Sequence, residues 1–328
     1  MSNHEPVVVI DRLTKKYGEF TAVDDVSLTV NRGQILGFIG PNGAGKTTTI
    51  KILVGLAKPT DGQASIAGAD CVRDAHRIKR LVGYMPDTFG SYENMRVREY
   101  LDFFGAAFGI ARVERARRIA EVMETTNSAY MQDRYVEALS HGMKQRVGIA
   151  RTLLHDPEVL VFDEPANGLD PEARIEMREL LLRLAEMGKT LIVTSHILPE
   201  LSRICDQVAI IHNGKLMASG ALDQILRELD QNRMIEIQVP SSEAVNQTVA
   251  VLRESLDKGV EVNASLAEMT IRFRTALDDQ ELSQLLAKLV QAAVPITQFR
   301  ELQTDLEDAF MTVTRQVDTT SDEVKAST

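Results

Sequence analysis

Three observations in the 328-residue sequence predict an α/β fold, a mixed-sheet core with a helical subdomain, followed by a small α+β domain of ferredoxin-like order. The apolar run at 35–39 stops at a glycine cluster, and helical spacing begins directly after it. A second apolar run, at 159–162, ends in two carboxylates, Asp163 and Glu164. Beyond about residue 225, strand-period and helix-period segments alternate in the order β-α-β-β-α-β. One core rarely organises this much chain. The expected domains are therefore 1–224, with a helical subdomain at about 88–155, and 225–317, with a polar tail at 318–328 that frays.

In chain order, residues 7–10 and 28–30 read as strands around a turn-rich segment at 16–19. The run 35–39 has no polar residue, which suits a strand buried on both faces of a sheet. Residues 47–56 have helical spacing, and 97–154 are largely helical. The short runs at 159–162 and 190–194 carry β-branched residues and read as further core strands. In the second domain Ile235, Ile237 and Val239 alternate with Glu236 and Gln238, which is strand period. Residues 241–256 are helical, with Ser241 or Ser242 as N-cap. Residues 260–262 and 270–273 form a hairpin, 277–292 are helical, and 296–302 are strand-like.

Composition narrows the function classes. Hydrophobic residues at 44% and charged residues at 26% are ordinary for a globular chain. The net charge of −10 is uneven: residues 1–220 hold 27 basic and 28 acidic side chains, residues 221–328 hold 10 and 19. This pattern offers no basic stripe for nucleic acid and no polybasic patch for anionic lipid. Cys71 and Cys205 lack metal-ligand spacing and read as reduced core thiols of a cytoplasmic protein. The first 13 residues do not form a signal peptide, and the uncharged stretch 103–111 is too short to span a bilayer. No direct membrane insertion is expected, so any membrane role needs a separate membrane partner.

The chemistry begins at Gly40-Pro41-Asn42-Gly43-Ala44-Gly45-Lys46-Thr47-Thr48. This matches G-x-x-x-x-G-K-[ST] between a strand and a helix, the context the pattern requires. Its glycines let backbone N–H groups turn toward phosphate oxygens, and the helix start adds its dipole. Lys46 is placed to reach the β- and γ-phosphates of ATP, and the Thr47 hydroxyl to ligate Mg²⁺. At the end of the second carboxylate strand, Asp163 is placed to hold Mg²⁺ and Glu164 to orient and deprotonate the attacking water. An apolar run ending in Asp-Glu is weak alone, but it is strong downstream of a phosphate loop.

These motifs, with Leu139-Ser140-His141-Gly142-Met143-Lys144-Gln145, Gly168-Leu169-Asp170 and Thr194-Ser195-His196, resemble the ATP-binding cassette of ABC transporters over about residues 7–220. The resemblance implies an ATPase that drives a separate transmembrane permease from the cytoplasmic face of the cell membrane. It implies that Tyr17 stacks on adenine and that His196 contacts the γ-phosphate. It further implies a homodimer formed on ATP, in which Ser140 and Gly142 face the γ-phosphate of the other copy and Asp170 lies in the dimer-contact loop. Ser140 also reads independently as the N-cap of a helix, whose start can meet an anion. The sequence departs from the family at Asp87, where glutamine is usual, and at His141, where the signature has its first glycine. Asp87 is expected to sense nucleotide or ligate Mg²⁺, and His141 to tolerate a positive φ better than a β-branched residue.

Seven aromatics fall between Tyr84 and Phe108. Phe103 and Phe104 are expected in the core, and others, Phe89 and Tyr92 among them, in a groove for a permease helix. The ending Thr304-Asp305-Leu306-Glu307-Asp308-Ala309-Phe310 resembles tails of exporter cassettes with a separate permease. The competing reading is a soluble cassette ATPase acting on the ribosome or DNA. One phosphate loop, no sustained heptads and an acidic tail count against it, and intact Lys46, Glu164 and His196 count against an inactive scaffold.

Overall fold

The uninterrupted apolar runs become the centre of a six-stranded sheet. Strand β3 (Ile35–Ile39) is buried throughout, as are β7 (Val159–Asp163) and β8 (Thr190–Ser195). The computed structural model describes residues 5–87, 90, 94–195, 201–222, 224–225, 233–256 and 260–302. The chain divides into two compact units, residues 1–222 and 223–328.

In the first unit, β6 (Val82–Met85), β7, β8, β3 and β9 (Gln207–His212) lie side by side and parallel, and β10 (Lys215–Ala221) closes the edge antiparallel. Parallel strands put all their carboxyl ends at one edge, where such sheets bind ligands. Register carries this to residues: Ile39 pairs with Ser195, Asp163 with Thr194, and Met85 with Phe162. A second, antiparallel sheet contains β1 (Pro6–Tyr17), β2 (Phe20–Asn31), β4 (Asp61–Ile66) and β5 (Ala69–Asp70). The hairpin β1–β2 is far longer than its apolar segments suggest. Register shifts at 10–13 and 13–15, with Arg12 and Asp25 at φ 46° and 52°, break the period-2 pattern.

Helix α1 (Lys46–Leu53) follows β3, and α2 (Ala75–Leu81) precedes β6. The helical subdomain holds α3 (Val97–Ala107), α4 (Arg112–Thr125) and α5 (His141–Leu153), which pack on one another, with two 3₁₀ turns at 129–131 and 136–138. Tyr100 is fully buried there, whereas Phe103, expected in the core, is 43% exposed. It lies on α3 between the buried Tyr100 and Leu101 and the buried Gly105, on the other side of the helix. After β7 comes α6 (Pro171–Glu186), capped by Asp170.

In the second unit β11 (Arg233–Gln238), α7 (Ser242–Ser255), β12 (Val262–Ser265), β13 (Thr270–Thr275), α8 (Asp279–Gln291) and β14 (Gln298–Leu302) follow in order. Their sheet runs β12-β13-β11-β14, all antiparallel. Ile235, Ile237, Ile271 and Phe273 meet Leu252, Leu285 and Leu289 in its core. On β11, Glu236 is buried between its cross-strand partners Arg272 and Arg300. Burial alone would raise its carboxyl, but the hydrogen bonds from both guanidinium groups outweigh that and hold it below its ordinary value. The tail at 304–310 and 318–328 lies outside the described residues.

Candidate active site

At the carboxyl edge of the central sheet, β3 runs into the glycine loop and the loop into α1. Gly45 sits at φ 108°, and a Cβ there would lie 2.5 Å from the Ala22 carbonyl oxygen. No L side chain fits that combination of dihedral and contact. Lys46 is 6% exposed, and its ammonium donates to the carbonyls of Gly40 at 2.5 Å and Pro41 at 3.2 Å. Burial lowers its pKa, and the nearby Glu164 and Asp163 carboxylates partly offset the shift.

Asp163, 5% exposed, accepts from the Thr194 hydroxyl at 2.7 Å and from the Thr47 hydroxyl at 3.3 Å. Thr194 also accepts from the Glu164 N–H at 2.9 Å. Glu164 itself has φ 54°, a left-handed conformation that is costly for a non-glycine residue and clusters at functional positions. The strand therefore ends in a sharp turn that separates the roles of two successive carboxylates.

Asn42, Gly43, Lys46, Thr47, Asp87, Asp163 and Glu164 line a single cavity of about 320 Å³, with Pro41, Gly45 and Thr48 also on its wall. Three carboxylates thus face one ammonium. A triphosphate entering such a space meets net negative charge unless a cation accompanies it. The hydroxyl of Thr47 beside a carboxylate oxygen of Asp163 is a hard-oxygen pair suited to Mg²⁺, which takes one or two protein ligands and completes its shell with phosphate and water. In keeping with that, no group of three or more His, Cys, Asp or Glu among the described residues could hold a metal on its own.

Tyr17 and Phe20 pair across the tip of the β1–β2 hairpin. Phe20, 63% exposed, lines the cavity, whereas Tyr17, 50% exposed, is absent from its wall and carries the Lys15 ammonium over its ring at 4.9 Å. Phe20 is a site residue that sequence reasoning missed. The signal for it is an aromatic two positions beyond Gly18 in a turn.

Ser140, His141, Gly142 and Asp170 gather elsewhere, in a groove of about 860 Å³ that Tyr130 and Met123 also line. Ser140 caps α5, accepting from the Met143 N–H at 3.4 Å, and Asp170 caps α6, accepting from the Ala173 N–H at 2.8 Å. His141 is the first helical residue and has no positive φ, so the expected backbone demand is not there. A Cβ on Gly142 would meet Leu169 and Ala173 at 3.5 and 3.6 Å, ordinary contacts. The chain's own packing therefore does not require a glycine at 142. His196 lies outside the described residues, but its predecessor Ser195 ends β8 beside Ile39 at the same sheet edge.

A third depression, of about 270 Å³, is lined by Tyr84, Phe104, Phe108, Leu56, Ile78 and His155. His155 stacks on Phe108 at 4.1 Å and donates from Nε2 to the Val82 carbonyl at 3.0 Å. Burial lowers its pKa, which favours the neutral ring. Phe89 and Tyr92 lie outside the described residues.

Residues 23–167 match the ABC transporter family. Over 310 residues the chain is 34% identical to a Nod factor export ATP-binding protein I of Ralstonia nicotianae, spanning 94% of both chains. The chain belongs to the ATP-binding subunits of ABC transporters. It binds ATP and hydrolyses it as the motor of a transporter. The bacitracin transport ATP-binding protein BcrA of Bacillus licheniformis is 40% identical over 75% of this chain and 78% of its own. Among solved structures, an ATP binding subunit of an ABC transporter superposes with a TM-score of 0.62 at 33% identity, over 68% of this chain and 92% of that one. A soluble cassette acting on the ribosome or DNA is not favoured by these relatives. No helix among the cassette's described residues, or those of the second unit, is long and apolar enough to cross a membrane.

Proposed function

We propose that two copies of this chain close head-to-tail around two ATP molecules, and that this closure drives a separate permease that exports its cargo. The observation that carries the reading is the separation of the motifs. Lys46, Thr47, Asp163 and Glu164 line one cavity, while Ser140, Gly142 and Asp170 line a different groove. The cavity supplies the phosphate cradle, and the start of α5, capped by Ser140, supplies a helix N-terminus.

In this reading Gly40 to Thr48 wrap the phosphates and Lys46 binds the β- and γ-oxygens. Thr47 and Asp163, with Asp87 beside them, would hold Mg²⁺, whose charge offsets that of the phosphates. Glu164 orients a water and accepts its proton as oxygen attacks the γ-phosphorus and the bond to ADP breaks, giving ADP and phosphate. Ser140 and Gly142 of the second copy meet the γ-phosphate from the far side, with Asp170 alongside. His196 is assigned to the γ-phosphate on resemblance, and Tyr17 shares the adenine with Phe20.

The apolar depression with Tyr84, Phe104 and Phe108 is the surface we assign to a helix of the permease. Its wall includes Tyr84, three residues before Asp87, so nucleotide and partner adjoin. Attachment through the permease puts the chain at the cytoplasmic face of the membrane. Export is inferred from the relatives named for Nod factor export and bacitracin transport. The second unit, with its β-α-β-β-α-β order, is read as a ferredoxin-like accessory domain.

A mixing experiment tests the shared site. Lys46→Ala and Gly142→Asp chains should each be inactive as homodimers. Mixed with each other and the permease, they should regain hydrolysis, because one of the two composite sites in the heterodimer is intact. No recovery, with heterodimers demonstrated, would show that each chain works alone.

A further inference from the structure

The two positions at which this chain departs from its family, Asp87 and His141, are joined through a residue that belongs to neither motif. The Asn167 amide Nδ2 donates to Asp87 Oδ1 at 3.5 Å, and the Asn167 carbonyl accepts from His141 Nε2 at 2.8 Å. The Asn167 N–H donates to the Glu164 carbonyl at 3.1 Å, which ties the residue to the catalytic strand's end. We propose that Asn167 is a positioning residue that holds the Asp87 carboxylate in the nucleotide cavity, with His141 anchoring Asn167 in turn. The inference rests on the reading of that cavity as the nucleotide site.

Chemistry explains why the hold is needed. Aspartate is one methylene shorter than glutamine and carries a charge that a triphosphate repels. An amide donor on the carboxylate draws off part of that charge and fixes its direction. Because a carbonyl can only accept, His141 carries its proton on Nε2.

Gln145 Nε2 lies 3.4 Å from the same ring nitrogen. With that nitrogen's single proton given to the Asn167 carbonyl, this is a contact and not a second hydrogen bond.

The test is a double-mutant cycle in the non-hydrolysing Glu164→Gln chain, reading the affinity of a fluorescent ATP analogue with Mg²⁺. With Asp87 present, Asn167→Ala should weaken binding about 5-fold. In an Asp87→Gln background, where the longer side chain reaches unaided, the same change should alter affinity by less than about 2-fold. His141→Gly should act in the same direction and add little to Asn167→Ala. An equal loss in both backgrounds would make Asn167 merely structural and overturn the proposal. Should Asn167→Ala not fold, the exposed His141→Gly change crossed with Asp87→Gln carries the same expectation and the same refutation. Absence of hydrolysis in the unmutated chain would sink the enzyme reading, while the affinity cycle would still judge this one.

Discussion

The phosphate-loop cavity and the signature groove are built from similar parts and cannot do the same job. Each sits at the start of a helix, α1 in one case and α5 in the other. The cavity encloses a buried ammonium and a glycine loop within about 320 Å³. The groove is larger, about 860 Å³, and its wall carries Glu124, Asp170, Glu172 and Glu176, while its Arg146 is already paired with Glu176. A triphosphate has a cradle in the first and mostly carboxylates in the second. What the groove can add is a few N–H groups and a helix dipole, worth having only once the nucleotide is held elsewhere. The difference supports the proposed pairing, in which the groove is half of a site completed by another copy's cavity.

The largest effect expected on this contrast is at Glu164. Replacing it with Gln should cut hydrolysis by about 10²–10⁴-fold while leaving nucleotide binding in place. A variant that loses binding to the same degree would move Glu164 from proton acceptor to structural support of the cavity.

Next comes the apolar depression, whose wall includes Tyr84, three residues before Asp87. Phe108→Glu should abolish coupled transport and leave the affinity for ATP within about 2-fold, since hot-spot losses concentrate at buried aromatic anchors. Transport that survives the change would place the permease contact elsewhere.

A smaller effect sharpens which hairpin aromatic meets the base. Stacking contributes ~1–3 kcal/mol per base. Phe20→Ala should therefore weaken nucleotide affinity at least about 5-fold, and Tyr17→Ala should weaken it less, as its ring stands off the cavity wall beside Lys15. The reverse order would restore Tyr17 as the principal stacking residue.

How far the sequence revealed these places follows from how each is encoded. The phosphate loop and the strand ending at Asp163 are contiguous, and their glycines and apolar runs answer to local geometry, so both could be read directly. Thr194 hydrogen-bonds Asp163 from the neighbouring strand, 31 residues away, and nothing local marks that role. Asn167 and His141 meet across 26 residues, and Phe20 reaches the cavity through a hairpin bend. Strand β4 was illegible because Asp61, Gly62 and Gln63 lack an apolar alternation, and Gly62 sits at φ 76° against the Arg12 backbone. The edge strand β10 has no fully buried residue and shows no period either. In the second unit, by contrast, Ile235, Ile237 and Val239 gave strand β11 away, because one face of that sheet is core and the other is not.

The measurement that bears most directly on the shared site is the solution mass of the Glu164→Gln chain with its permease partner supplied, by light scattering or sedimentation. With ATP and Mg²⁺ the account predicts two chains closed per complex, reverting when nucleotide is withdrawn, and no closure when Gly142 is also changed to Asp. Closure that ignores nucleotide, or chains that stay apart with ATP bound, would contradict it.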